Sequence, residues 1–191
     1  MNFASILFEN IIQGIQTLIW ILLLAFTFTD YTWFDIEFIE KNIKMFSVLT
    51  LAVTYFLGLI VDTAYYNLII QRWEGKWTKK YINTSNESLQ SMYFRCVLES
   101  NDLYRLFSER QSHLRLFRVS VVNIILLTIS GLVFLNFRLH NHNLQPNIYI
   151  LVVGVSSFTI TYFAWKKLYK YYSSMIESAF IVINRKNEQK N

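Results

Sequence analysis

The sequence predicts an all-α, polytopic integral membrane protein with four transmembrane helices and a helical hairpin between the second and the third. Three observations predict it. Four stretches are apolar over the roughly 17–25 residues that a helix needs to cross hydrocarbon, and none of them contains Lys, Arg, Asp, Glu or His. One Pro and five Gly in 191 residues leave little of the punctuation that hairpins and tight turns require. Fifteen of the eighteen Lys and Arg residues also fall in segments that four crossings would place on one side.

The first span is residues 11–28, "IIQGIQTLIWILLLAFTF". No Lys or Arg precedes it and no small-residue cleavage pattern follows Phe28, so it reads as a retained helix and not a cleaved signal. The loop 30–44 comes next, with Asp30, Asp35, Glu37 and Glu40 against Lys41 and Lys44. The second span is 45–61, "MFSVLTLAVTYFLGLIV", which completes a first unit of residues 1–62. Helical composition continues past Asp62 to about Trp73. The third span, 119–137, and the fourth, 148–165, form a second membrane unit over 119–165. The tail is 166–191, and its stretch 168–183 has the composition of a further helix.

The segment 62–118 carries nine basic residues and the tail six, whereas the loop 138–147 carries only Arg138. The positive-inside rule makes the basic side cytoplasmic, with both termini there. Aromatic belts agree. Tyr31, Trp33 and Tyr149 fall at outer ends, and Trp73, Trp77, Trp165 and Tyr169 at inner ones.

Residues 62–118 are the sizeable water-facing part, expected as a helical hairpin. Turn chemistry is densest over 75–91, with Ser85 or Asn86 as cap of a helix beginning near Ser88 and running through to Arg118. Arg95 with Glu99, and Arg105 with Glu109, have i,i+4 spacing. Leu103, Phe107, Leu114 and Phe117 form an apolar stripe expected to pack on another helix. Arg105, Arg110, Arg115 and Arg118 lie off it, available to a partner or to lipid headgroups. Arg115 and Arg118 mark the lipid–water boundary, where long stems follow the apolar helix while the charges reach phosphates. A hairpin this small has no independent core. It needs copies of itself, the tail, or another protein to pack on.

Chemistry is sparse. Asp62, at the edge of the second span, reads as a solvated boundary residue. His140 and His142 have no further metal ligands near them. Cys96 stands alone and reads as a small buried apolar residue. No cofactor motif and no nucleophile elbow is present. The segment 62–118 holds six acids beside its nine bases, and no nucleic-acid-reading motif is visible, which disfavours direct nucleic-acid binding. Gln13, Gln16 and Thr17 share part of one face of the first span, where they either line a lumen or hydrogen-bond between helices.

One further feature carries a resemblance. The stretch "LFSERQSHLRLFRVSVVNIILL" passes from a charged helix straight into the third span. With the size of the chain, its four hydrophobic segments and the long excursion between the second and third, it resembles the membrane subunit of the Kiwa bacterial phage-defence system. The resemblance implies an inner-membrane homo-oligomer that detects phage attack at the envelope and works with a cytoplasmic, DNA-binding partner protein. It offers no catalytic residues. The expected function is therefore a non-enzymatic membrane sensor or scaffold that contacts lipid, oligomerises and recruits a cytoplasmic partner. The alternative is a pore-forming effector that depolarises the membrane.

Overall fold

The computed structural model describes residues 3–29, 36–82, 87–138 and 144–189, and these are almost entirely helical. The elements are α1 (Phe3–Phe28), α2 (Ile36–Lys41), α3 (Ile43–Tyr65), α4 (Gln71–Tyr81), α5 (Leu89–Glu99), α6 (Asn101–Phe137) and α7 (Leu144–Glu188). A π-helical turn, Tyr66–Ile70, joins α3 to α4 without a break, because the residues at both junctions stay in the right-handed helical region. The second span therefore continues as one rod to Tyr81, past the expected end near Trp73. Tyr31, Trp33, Ser85, Asn86, His140 and His142 lie outside the described residues.

Four helices, α1, α3, α6 and α7, are long and apolar enough to cross a membrane, in agreement with the four predicted spans. Each extends beyond its apolar run. A helix satisfies its own backbone in lipid and in water alike, so a change of solvent alone does not end it. The hairpin and the tail are thus continuations of membrane helices: α6 carries its stripe into the third span, and α7 joins the fourth span to the tail.

One expectation fails. The run from Ser88 to Arg118 is two helices, broken at Ser100, which is extended (φ −150°, ψ 122°). Two serine caps set these boundaries. Ser88 Oγ accepts from the Ser91 N–H at 3.2 Å, and Ser100 Oγ accepts from the Leu103 N–H at 3.5 Å. The helix start expected from Ser85 or Asn86 is thus capped by Ser88 itself. The i,i+4 pairs are not used as ion pairs either. Arg95 pairs with Glu87 at 3.4 Å, and no ion pair joins Arg105 to Glu109 among the described residues.

The long helices stack in the order α3, α1, α6, α7. The α1–α3 contact is backbone on backbone. A Cβ placed at Gly14 would fall on the Thr54 carbonyl, and one at Gly58 on that of Asn10. Small residues let helices approach this closely in lipid, where packing replaces the hydrophobic drive. The apolar core lies mostly beyond the apolar spans, among the basic segments, and reaches into them at Val121 and Trp165. It joins Met92 and Cys96 of α5, Phe107 and Leu114 of α6, and Tyr172, Ile176 and Phe180 of α7. Of the three supports the hairpin needed, the tail supplies this one.

Candidate functional site

The site begins where α3 leaves its apolar run. Asp62 is the last carboxylate on that rod before α4, and its relative exposure is only 7%. Two turns of α6 reach it. Arg115 places Nε 3.0 Å and Nη2 2.9 Å from Asp62 Oδ2. Arg118 places Nε 3.2 Å and Nη2 2.8 Å from Oδ1. The i,i+3 spacing on α6 brings both guanidinium groups to one carboxylate. Asp62 is therefore not the solvated residue that the sequence suggested. Arg115 and Arg118 both turn to this carboxylate, because burial makes an unpaired carboxylate costly.

Two groups from beyond the apolar run of α3 complete the cluster. Arg118 lies under the Tyr66 ring of the π-helical turn, 4.8 Å from its centroid. Glu74 of α4 accepts a hydrogen bond from Trp165 Nε1 of α7 at 3.3 Å. Burial pushes the Glu74 carboxyl above the usual range, and the nearby Arg118 charge opposes that shift only in part. Trp165 is fully buried and packs against Trp77, with ring centroids 4.6 Å apart. Thr78 and Tyr169 share a hydroxyl hydrogen bond just beyond.

A cavity of about 540 Å³ with a mixed polar and apolar lining opens beside this cluster, between α4, α5, α6 and α7. Arg118, Glu74 and Tyr66 stand in its wall, with Gln71, Gln90 and Gln111 nearer the basic layer. A second cavity, of about 550 Å³, lies among the spans of α1, α6 and α7 and is lined almost wholly by apolar groups.

The glutamines of α1 point into the protein. Gln13 Nε2 donates to the Arg115 carbonyl at 3.2 Å, and Gln16 Oε1 accepts from Ser120 Oγ at 3.2 Å and Asn123 Nδ2 at 3.3 Å. Asn123 is the hub: its Oδ1 accepts from Thr17, Trp20 and Tyr65, each at 3.3 Å. Glu9 and Ser112 meet one turn nearer the basic layer. This is interhelical bonding within one chain, and Gln16 and Asn123 also stand in the wall of the 550 Å³ cavity.

The stripe residues are used as core. Phe107 and Leu114 are buried, Leu103 and Phe117 pack beside them, and the helices they meet are α5 and α7. Arg110 lies 5.6 Å from the Tyr171 ring centroid, and Arg105 is exposed on α6. Sequence reasoning missed Glu74, Asn123, Gly14 and Gly58. A polar residue inside an apolar span is the signal that could have found Asn123. Among the described residues, no group of three His, Cys, Asp or Glu side chains could hold a metal ion. No family model, curated protein or solved structure matches this chain.

Proposed function

We propose that the protein is a non-enzymatic sensor or scaffold of the bacterial inner membrane. It oligomerises, holds both termini in the cytoplasm, and recruits a cytoplasmic partner in antiviral defence. The observation that carries this reading is on α5. Phe94 and Leu98, one turn apart and well outside the apolar spans, are 54% and 86% exposed. Neighbouring apolar side chains of the same helix, Met92 and Cys96, are fully buried. Exposed apolar groups in a water-facing layer favour a protein partner. Arg95 and Arg105, exposed on the same layer, add a charged rim. Ser156 and Thr159, exposed on the apolar span of α7, offer small residues to a second copy. The inward hydrogen bonding of Gln13 and Gln16 weighs against a pore.

The test is a phage challenge of cells carrying the gene in its native locus, with Phe94→Ser/Leu98→Ser beside the wild type. The expected result is lost protection and a lost co-purifying partner, with oligomer size and expression unchanged. Full protection and partner retention by the double variant would refute the reading.

A further inference from the structure

The Asp62 cluster has a charge mismatch. One carboxylate receives two guanidinium groups, and the side chains of Arg115 and Arg118 are only 20% and 12% exposed. Buried charge is costly unless it is balanced. The nearby Glu74 carboxyl is the resident counter-charge, but burial favours its neutral form. Arg118 commits Nε and Nη2 to Asp62, while its Nη1 makes no hydrogen bond among the described residues. The side chain also stands in the wall of the 540 Å³ cavity. The Asp62 pair and the Tyr66 ring hold the guanidinium in place, so an anion meets a preorganised donor. Cavities of this size suit small organic ligands.

We infer that this cavity binds a phosphate diester, with its anionic phosphate on Arg118 and an uncharged, hydroxyl-bearing body against Gln71 and Gln111. The mismatch within the Asp62 cluster is a single charge, which a diester monoanion matches and a monoester dianion overshoots. Carboxamides and tyrosine hydroxyls satisfy an uncharged polar body without adding charge. Arg118 and Tyr66 sit where the apolar run of the rod gives way to charged sequence, and basic residues just beyond an apolar span are the ones that meet anionic headgroups. The diester therefore comes either from an anionic glycerophospholipid headgroup or from a free glycerophosphodiester. The site stands independently of partner recruitment.

The experiment uses the full chain in phosphatidylcholine nanodiscs. One arm titrates soluble glycerophosphoglycerol by calorimetry. The other introduces phosphatidylglycerol into the nanodisc and counts bound lipid by native mass spectrometry. Saturable binding in the first arm identifies a free diester. Binding only in the second identifies the lipid headgroup. In the arm that binds, Arg118→Gln should weaken affinity about tenfold or more, because a charge-assisted hydrogen bond is lost. Gln71→Leu/Gln111→Leu, at exposed positions, should also weaken it and decides the matter should Arg118→Gln fail to fold. Glu74→Gln, which removes the competing negative charge, should tighten binding about threefold. Arg105→Gln, remote from the cavity, should change nothing. The proposal is overturned by no binding in either arm, or by binding that the Gln71→Leu/Gln111→Leu variant leaves unchanged.

Discussion

Arg118 Nη2 lies 2.8 Å from Asp62 Oδ1, and this contact ties α6 to α3 where their apolar spans end. Removing the carboxylate leaves two largely buried guanidinium groups without their anion. Asp62→Asn should therefore cost about 3–5 kcal/mol. Thermal unfolding in detergent, followed by size-exclusion profile, measures it. A variant that melts like the wild type would show that the pair contributes little.

The three glycines Gly14, Gly75 and Gly131 should separate cleanly. Alanine at Gly14 puts a Cβ onto the Thr54 backbone and must push α1 from α3, with clear loss of stability. At Gly131 the nearest atom stands 3.6 Å away, so alanine should be near neutral. Gly75 has nothing within 4 Å, and alanine there should stabilise α4 by up to about 1 kcal/mol. Melting temperatures in the order Gly75→Ala, Gly131→Ala, Gly14→Ala are expected. A neutral Gly14→Ala would contradict the close helix contact.

Glu74 sets a pH dependence. Its folded-state pKa lies above the unfolded value, so the folded protein binds more protons as pH passes between the two. Stability should fall as pH rises from about 4.5 through the raised value, then level off. The groups that bear on Glu74 are Arg118, Trp165 and Asp62. Glu74→Gln keeps an oxygen for Trp165 Nε1 and should flatten this slope while raising stability at neutral pH. Denaturation across pH 4–8 would show an unchanged slope if another group were responsible.

Asn123 joins α1, α3 and α6 through one side chain. Membrane hydrogen bonds average about 0.6 kcal/mol each. Asn123→Ala should therefore loosen the three helices by about 1–2 kcal/mol, a change measurable by unfolding in detergent. Gln16→Leu should leave membrane potential unaffected, since Gln16 bonds within the chain. Depolarisation that depends on Gln16 would instead favour a pore-forming effector.

Sidedness can be labelled. In a Cys96→Ser background, Lys80→Cys and Glu188→Cys should react with a membrane-impermeant maleimide only after the cells are opened. Asp35→Cys and Asn143→Cys should react on intact cells. Reaction of Lys80→Cys from outside would invert the topology.

By itself the sequence determined the four spans, the clustering of basic residues, and the stripe of Leu103, Phe107, Leu114 and Phe117. Each is a local property. An apolar run reports the solvent around one helix, and spacing of three and four reports one face of it. Local spacing also misled at Ser100, where the helical pattern runs through but the serine caps a new helix. What only the tertiary structure decided is pairing. Asp62 meets Arg115 and Arg118 across 53 and 56 residues, and Gln13 meets Asn123 across 110. Those contacts depend on how far α1, α3 and α6 slide along one another. The register of α1 against α3 is set by the close passage of Gly14 over Thr54 and of Gly58 over Asn10. Nothing in either helix alone specifies it, because small residues reveal their role only when a second backbone lies against them.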